Sequence, residues 1–391
     1  KDWPTGPTNW TARSPRAVMG SLTTIDASAS TATVIVTLDS DRTNHVTMGS
    51  GDDIIYFQSY RPITLDDHID GGDGYDTVAF RQNTFTAEEY EAMRNMRNIE
   101  AIGFEGRAAV VDAAEISQID RIIVASGLVY QDGAIVPGHN VVHNMNSGQL
   151  LKIIAINEAM EDAGHVSLVN APRFLGVSIS NWVQTDGAGT YLHIEPAVDN
   201  DPRTALFLEG DAWITYDNRG GLYKIIDASQ LIGGLDLSKW DSPDDEIPET
   251  GMSNLIEEYV HLGLGEDWIT VEVSFDPTHL SSSTYGLLDV IEEFTSVAYG
   301  TVPHDLLYGI DRFEKFEVSS GAETLEQAFA EAAAAYQRGP GDEINVLYFQ
   351  FGGDTFLYAD TWTEQGMNQL DGQDFALAFI GLHEFGPDLL G

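Results

Sequence analysis

Three short turns of the chain repeat one pattern of glycine and aspartate, and each runs directly into an apolar segment. The pattern is G-G-x-G-x-D-x-U-x, in which U is a large aliphatic residue. The segment 71–79 (GGDGYDTVA) matches it at every fixed position. The segments 48–56 (MGSGDDIIY) and 262–270 (LGLGEDWIT) depart only at the first glycine, which is methionine in one and leucine in the other. Because glycine adopts backbone conformations that other residues avoid, the pattern predicts tight, ordered turns, each leading into a strand.

These turns concentrate the oxygen ligands that suit calcium, which takes about six to eight oxygens from carboxylates and backbone carbonyls. Each turn offers half a cage, so a neighbouring turn must supply the rest. Asp53 and Asp76 are 23 residues apart, close to one rung of a stacked fold. The alternative is an ordinary Gly-Asp β-turn that binds no ion. The predicted Ca²⁺ ligand set is Gly49, Gly51, Asp52, Asp53, Asp70, Gly71, Gly72, Asp73, Gly74, Asp76, Gly263, Gly265 and Asp267.

Short β-branched and aliphatic runs dominate the chain from about residue 21 to residue 316. Runs such as TATVIVTL (31–38) and WITVEVSF (268–275) lie between Gly, Asp, Asn and Ser residues, which is typical of strands. Their spacing favours a β-solenoid or β-sandwich over an alternating β–α fold. Two helices are also predicted, at 86–96 and 323–337, and each begins with a capping-box spacing of Thr and Glu or Gln.

The composition predicts four segments. Residues 1–20 contain three prolines and no apolar periodicity, which favours an extended arm, with a floppy terminus as the alternative. Residues 21–240 form the strand-rich part that holds the first two glycine turns. The acidic, Pro-containing segment 241–251 (DSPDDEIPETG) is the predicted linker to a second β-rich module, 252–391, which contains the Ala-rich helix.

The charge of the chain excludes several classes of partner. There are 62 acidic and 19 basic residues, so the net charge is −43 and no basic patch is available to bind nucleic acid. No apolar run approaches the roughly 18 residues of a membrane-spanning helix, so direct membrane insertion is not expected. The absence of cysteine removes disulfides, thiolate ligands and Cys nucleophiles together.

The glycine turns resemble the RTX repeats of proteins that Gram-negative bacteria export by type I secretion. The segment 325–362 is similar to the C-terminal part of RTX-type S-layer and related surface proteins, with an Ala-rich helix, a polar turn, an aromatic strand and then FGGDTFLYAD. The segments TIDASAS (24–30), RNIEAIGF (97–104) and YKIIDASQLIGGLDLS (223–238) resemble the same proteins in texture. The resemblance implies a right-handed parallel β-solenoid that is stapled by calcium and folds outside the cell. Because the glycine turns here are isolated and not in tandem, we expect a mainly β, irregular solenoid with RTX-like β-roll turns and a few short helices.

No pattern in the sequence indicates a catalytic site. His139 and His143 in HNVVH have a zinc-like spacing, but on a strand such residues lie about 13 Å apart, too far for one metal. His383 and Glu384 lack a second histidine at the expected distance, and adjacent acidic pairs are expected by chance in so acidic a chain. We therefore predict that the chain is not an enzyme.

The sequence predicts a secreted, calcium-binding structural protein that assembles with copies of itself at the cell surface, as an S-layer or a related filament or sheet. Surface polysaccharide is a further candidate partner. One alternative is a monomeric RTX adhesin or binding module. Another is the noncatalytic part of a secreted carbohydrate-active enzyme.

Overall fold

The structure is a computed structural model that describes residues 17–19, 23–38, 42–57, 63–131, 134–156, 163–181, 189–195, 203–216, 223–239, 249–250, 258–263, 267–271, 281, 283–284, 287–295, 305–337, 344–361, 370 and 374–385. The protein is mainly β, and its long sheets are built largely from parallel strands. It divides into two compact units, residues 1–199 and 200–391. Of the predicted arm, only the last residues are described, as a strand; most of the predicted linker lies outside the described residues.

The described residues of unit 1 form seventeen strands, one α-helix and one 3₁₀ helix. They are β1 (Ala17–Met19), β2 (Thr24–Asp26), β3 (Ile35–Leu38), β4 (His45–Thr47), β5 (Ile54–Phe57), β6 (His68–Asp70), β7 (Thr77–Phe80), α1 (Ala87–Arg94), β8 (Ala101–Phe104), β9 (Val110–Asp112), the 3₁₀ helix Ala113–Ile116, β10 (Arg121–Ser126), β11 (Leu128–Gln131), β12 (Ala134–Pro137), β13 (His139–His143), β14 (Leu150–Ala155), β15 (Gly164–Val169), β16 (Phe174–Asn181) and β17 (Gly189–Glu195).

Most strands of unit 1 pair in parallel with the strand one turn of the chain away. The longest sheet follows the order β1-β3-β5-β7-β8-β10-β14-β16, a second follows β17-β15-β13-β9, and a third follows β2-β4-β6. Between β9 and β17 the chain alternates between the first two sheets, apart from the antiparallel hairpin β11–β12. Parallel strands need crossover connections, so each strand of one sheet is part of the connection between neighbouring strands of the other.

The parallel register stacks like side chains on top of one another in the core of unit 1. Phe57, Phe80 and Phe104 are register partners on β5, β7 and β8, and all three are buried. Their ring centroids are 5.2 Å and 6.4 Å apart, and both pairs are stacked. Burying each such ring stabilises the fold by about 1.5–3 kcal/mol, so this column fixes the alignment of the strands that follow the glycine turns.

In unit 2, the part of the chain that the structure describes forms thirteen strands and one α-helix. They are β18 (Arg203–Gly210), β19 (Trp213–Tyr216), β20 (Tyr223–Leu231), β21 (Leu235–Lys239), β22 (Glu249–Thr250), β23 (Tyr259–His261), β24 (Trp268–Thr270), β25 (Asp289–Glu292), β26 (Leu306–Tyr308), β27 (Arg312–Lys315), α2 (Leu325–Ala335), β28 (Asn345–Phe351), β29 (Asp354–Ala359) and β30 (Phe375–Phe379).

The strands of unit 2 change from parallel to antiparallel pairing near the C-terminal end. One sheet follows β18-β20-β23-β25-β30-β29-β28-β27, and another follows β26-β24-β21-β19. Strands β28, β29 and β30 pair antiparallel, and the β28–β29 turn is made by Gly352 and Gly353, both at positive φ. The helix, aromatic strand and glycine turn predicted for 325–362 are therefore present in that order.

Both predicted helices form where their capping boxes indicate. Thr86 accepts a hydrogen bond from the backbone N–H of Glu89, whose carboxylate accepts the backbone N–H of Thr86. Thr324 and Gln327 make the same reciprocal pair at the start of α2. No helix among the described residues has the length and apolar character that crossing a membrane requires.

Candidate cation site in the glycine turns

In unit 1, three carboxylates connect successive turns of the chain, and each lies directly before a strand. Asp53 Oδ1 accepts the backbone N–H of Val34 at 2.6 Å. Asp76 Oδ1 accepts the N–H of Asp53 at 2.7 Å, and Glu100 Oε2 accepts the N–H of Asp76 at 2.7 Å. The bonds connect residues 19, 23 and 24 positions apart, so each carboxylate ties its turn to the preceding one.

Glycine is required in these turns because backbone from the neighbouring turn fills the space where a side chain would begin. A Cβ on Gly49 would lie 2.0 Å from the carbonyl oxygen of Ser30, and a Cβ on Gly72 would lie 2.0 Å from that of Gly49. Gly72 also has a φ of +91°, which other residues rarely adopt. The close approach allows Asp73 N–H to donate to Gly49 O at 2.8 Å.

The turn around Asp267 in unit 2 reproduces the contacts of the turn around Asp53. Asp267 Oδ1 accepts the N–H of Leu235 at 2.6 Å, and its Oδ2 accepts the N–H of Gly263 at 3.2 Å. In unit 1, Asp53 Oδ2 accepts the N–H of Gly49 at 3.3 Å. Two segments far apart in the chain therefore convert the same residue pattern into the same hydrogen bonds.

The turn that precedes each of these two sites also has a shared sequence, Asp-Ala-Ser. Ser28 N–H donates to Asp26 Oδ1 at 3.1 Å, and Ser229 N–H donates to Asp227 Oδ1 at 3.1 Å. In unit 1, the carbonyl oxygen of Ala27 lies 2.9 Å from the position that a Cβ on Gly49 would take. In unit 2, the carbonyl oxygen of Ala228 lies 2.8 Å from the corresponding position on Gly263. The similar segments 24–30 and 225–231 thus form the neighbouring turn against which each glycine packs.

The carboxylate that accepts the backbone N–H of the turn aspartate makes different hydrogen bonds in the two units. In unit 2, Asp305 Oδ1 accepts the N–H of Asp267 at 2.9 Å and its Oδ2 accepts the N–H of Thr295 at 2.6 Å. In unit 1, Asp76 accepts the N–H of Asp53 through Oδ1 alone. Its Oδ2 is buried, and no residue in the described part of the chain gives it a hydrogen bond. The side chain of Asp76 is only 1% exposed.

A backbone carbonyl oxygen shares the space next to Asp76 Oδ2. The Cβ position of Gly71 lies 2.5 Å from Asp76 Oδ2 and 2.0 Å from the carbonyl oxygen of Asn98. Two oxygens therefore converge over Gly71, and when Asp76 is ionised neither of them can donate a hydrogen to the other. The absence of a side chain at Gly71 allows both oxygens to approach this point of the backbone.

The electrostatics of these carboxylates follow from their burial. Burial raises the pKa of Asp76 from 3.8 to about 7, and the neighbouring carboxylates of Asp53, Glu100 and Asp52 add to the increase. Burial also raises the pKa values of Asp53 and Glu100, although the backbone N–H groups that they accept oppose the rise. A buried carboxylate among other carboxylates favours either a proton or a cation beside it.

The remaining predicted ligands occupy several environments. Asp52 Oδ1 accepts Tyr75 N–H at 2.9 Å, and Asp70 Oδ1 accepts the amide of Asn98 at 2.7 Å. The side chain of Asp73 is exposed. Gly51 and Gly74 pack on neighbouring backbone, and Gly265 lies outside the described residues. Within the described ranges, no group of three or more His, Cys, Asp or Glu side chains could hold a metal ion, so an ion here would need backbone oxygens too.

Three residues of this arrangement are missing from the set predicted from sequence: Glu100, Asn98 and Asp305. The signal that could have identified Glu100 and Asp305 is an acidic residue directly before an apolar strand, as in RNIEAIGF (97–104). The histidines of HNVVH lie at the two ends of β13. Glu384 accepts hydrogen bonds from Lys315 Nζ at 2.6 Å and from Tyr348 OH at 2.9 Å.

Comparison with models of known protein families and with curated proteins identifies no match for the chain.

Proposed function

We propose that the chain is a secreted, calcium-binding structural protein that assembles with copies of itself outside the cell, as an S-layer or a related filament or sheet. The observation that carries the calcium part of this proposal is the buried Oδ2 of Asp76, which lies near the Asn98 carbonyl oxygen and accepts no hydrogen bond from any described residue. Leaving such a charge unpaired costs several kcal/mol, so a cation at this point stabilises the fold.

The donor set around Gly71 fits calcium better than it fits other common ions. Calcium prefers carboxylate and carbonyl oxygens, and both are present in Asp76 and Asn98. Asp53 and Glu100 contribute negative charge on either side, because the backbone N–H of Asp53 donates to the Asp76 carboxylate and the Glu100 carboxylate accepts the backbone N–H of Asp76. When bound, the ion neutralises part of this charge and connects the turn of Asp76 to the turn of Asn98.

The parallel sheets support an irregular β-solenoid as the architecture that presents this site. Between β9 and β17 the chain alternates between two parallel sheets, which is how a solenoid winds. The residues that the carboxylate hydrogen bonds join are 19, 23 and 24 positions apart, and these unequal separations make the solenoid irregular. Parallel crossover connections are almost always right-handed, so we assign that hand to the solenoid.

Charge supports the assembly part of the proposal. Copies of a chain with a net charge of −43 repel one another, and divalent cations reduce that repulsion. The ends of a solenoid expose unpaired backbone that can pair with another copy. Head-to-tail contacts of this kind do not close on themselves, so they produce extended polymers.

Electron microscopy and sedimentation of the purified protein with about 1 mM Ca²⁺ and with EDTA test the proposal. We expect ordered polymers with calcium, and monomers after chelation. The Asp76→Asn variant is the matched control, because it should lose the response to calcium while keeping the acceptor for Asp53 N–H. A wild-type protein that stays monodisperse at high concentration with calcium overturns the assembly proposal and indicates a monomeric binding module.

A further inference from the structure

A groove with a volume of about 510 Å³ lies against strands β4 and β6 of unit 1, and its lining reaches Asp70, the residue before Gly71. His45, His68, Asp70 and Arg97 are among the residues that line it. The two histidines are register partners on neighbouring parallel strands, β4 and β6. Both are exposed, so a solute can reach them.

The two imidazole rings lie side by side in the lining of this groove. Their centroids are 4.7 Å apart and their planes are inclined by 42°. His68 Nδ1 lies 3.0 Å from the backbone carbonyl oxygen of Asp66. Because a carbonyl oxygen can only accept, this bond places a proton on Nδ1 and leaves the Nε2 lone pair of neutral His68 available. A carbonyl that fixes the tautomer in this way is typical of metal-ligating histidines.

The acidic residues Asp67 and Asp70 outnumber the basic Arg97 in the lining of the groove, which favours a cation over a neutral ligand. No described residue forms a hydrogen bond with the ring of His45, so both of its nitrogens remain available. Asp70 lines the same groove, and its Oδ1 already accepts Gly72 N–H at 3.2 Å and the Asn98 amide. Its carboxylate therefore supplies negative charge beside the rings.

We propose that His45 and His68 form a binding site for a borderline divalent transition metal, Zn²⁺, Ni²⁺ or Cu²⁺. Imidazole nitrogen suits these ions, whereas calcium prefers oxygen, so this site and the glycine turns select different cations. The two imidazoles supply two ligands, and water occupies the other coordination positions. The site does not include Asp76, so it can be tested separately from the calcium proposal.

A second histidine pair in unit 1 provides a matched control. His139 and His165 are register partners on β13 and β15, with ring centroids 6.0 Å apart. His139 Nε2 is engaged by Ser167 Oγ at 2.7 Å, and His165 stacks on Tyr191 at 4.9 Å. This pair also consists of two histidines on neighbouring parallel strands. It is unsuitable for chelation because one nitrogen of His139 is hydrogen-bonded and the ring of His165 is packed against a tyrosine.

The test is a Zn²⁺ titration by calorimetry in saturating Ca²⁺, together with Cu²⁺ electron paramagnetic resonance on the same proteins. We expect one Zn²⁺ per chain and a copper spectrum with two nitrogen ligands. His45→Ala and His68→Ala should each weaken binding by about tenfold or more and leave one nitrogen ligand, whereas His139→Ala should match wild type.

Binding that is unchanged in both His45→Ala and His68→Ala, or that falls equally in His139→Ala, overturns the proposal. A copper spectrum with only oxygen ligands in the wild-type protein does the same. The Asp76→Asn variant should bind Zn²⁺ as wild type does, so failure of the calcium site and failure of the histidine site give different results. Because both histidines are exposed, the substitutions should leave the melting temperature in EDTA unchanged.

Discussion

Replacing Asp76 by asparagine should stabilise the calcium-free protein above neutral pH, although most substitutions at a buried polar residue destabilise. In the wild-type protein, burial raises the pKa of Asp76 from 3.8 to about 7. At pH values between these two pKa values, Asp76 therefore carries a proton in the folded state and has lost it in the unfolded state. The free energy of unfolding falls as pH rises through this window, and above it the buried charge costs roughly 4 kcal/mol.

Asparagine removes this cost without removing the contacts of the site. Its side-chain oxygen can accept the N–H of Asp53, as Asp76 Oδ1 does at 2.7 Å. Its amide can donate to the Asn98 carbonyl oxygen, which in the wild-type protein faces another acceptor. In EDTA at pH 8 we therefore expect Asp76→Asn to be more stable than wild type by up to about 4 kcal/mol, and by little at pH 4.

Urea unfolding of both proteins in EDTA from pH 4 to pH 8 measures this difference. The other acidic residues are common to the two proteins, so the difference between their curves isolates Asp76. A difference that does not change with pH, or a variant less stable than wild type at pH 8, would refute the assignment of a buried, unpaired charge to Asp76.

Three further substitutions have expected outcomes in urea unfolding at pH 7.5. Asp305→Asn should destabilise by about 1.5–3 kcal/mol with or without calcium, because Asp305 Oδ2 accepts the N–H of Thr295 and an amide donor there would oppose it. Gly72→Ala should destabilise by about 1–3 kcal/mol or more, because of its φ of +91° and the carbonyl of Gly49. Phe80→Ala should destabilise by about 3–5 kcal/mol, since it removes the central ring of a buried column.

Each of these predictions has a control within the chain. Gly353→Ala shares a positive φ with Gly72 but has open space around its Cβ position, so it should cost less. Equal losses for the two glycine variants would show that close packing of the turns is unimportant. If Asp305→Asn changes the calcium response as strongly as Asp76→Asn does, the distinction drawn between the two carboxylates is wrong. A small loss for Phe80→Ala would contradict the stacked register of the strands.

Local signals in the sequence predict local structure well here. Thr86 with Glu89 and Thr324 with Gln327 identify the starts of both helices, because a capping box involves only residues three positions apart. The glycine pattern likewise identifies the tight turns, since the conformations of Gly72 and Gly74 are properties of the turn itself.

Contacts between turns are harder to predict from the sequence. Glu100 belongs to the carboxylate series only because the strands place it one turn after Asp76, and the connection between them includes helix α1. The contrast between Asp76 and Asp305 depends on one N–H group, that of Thr295, which is 10 residues before Asp305 in the chain. The separation of linked positions varies, so no fixed period in the sequence reveals these partners.

The central claim is that a cation binds where Asp76 Oδ2 and the Asn98 carbonyl oxygen converge, and calcium titration calorimetry at pH 7 tests it most directly. We predict saturable binding that releases protons, so that the heat depends on the ionisation enthalpy of the buffer, together with a higher melting temperature in calcium. Both effects should be lost in Asp76→Asn. The account would be contradicted if the wild-type protein gave no heat of binding and if calcium left its melting temperature unchanged.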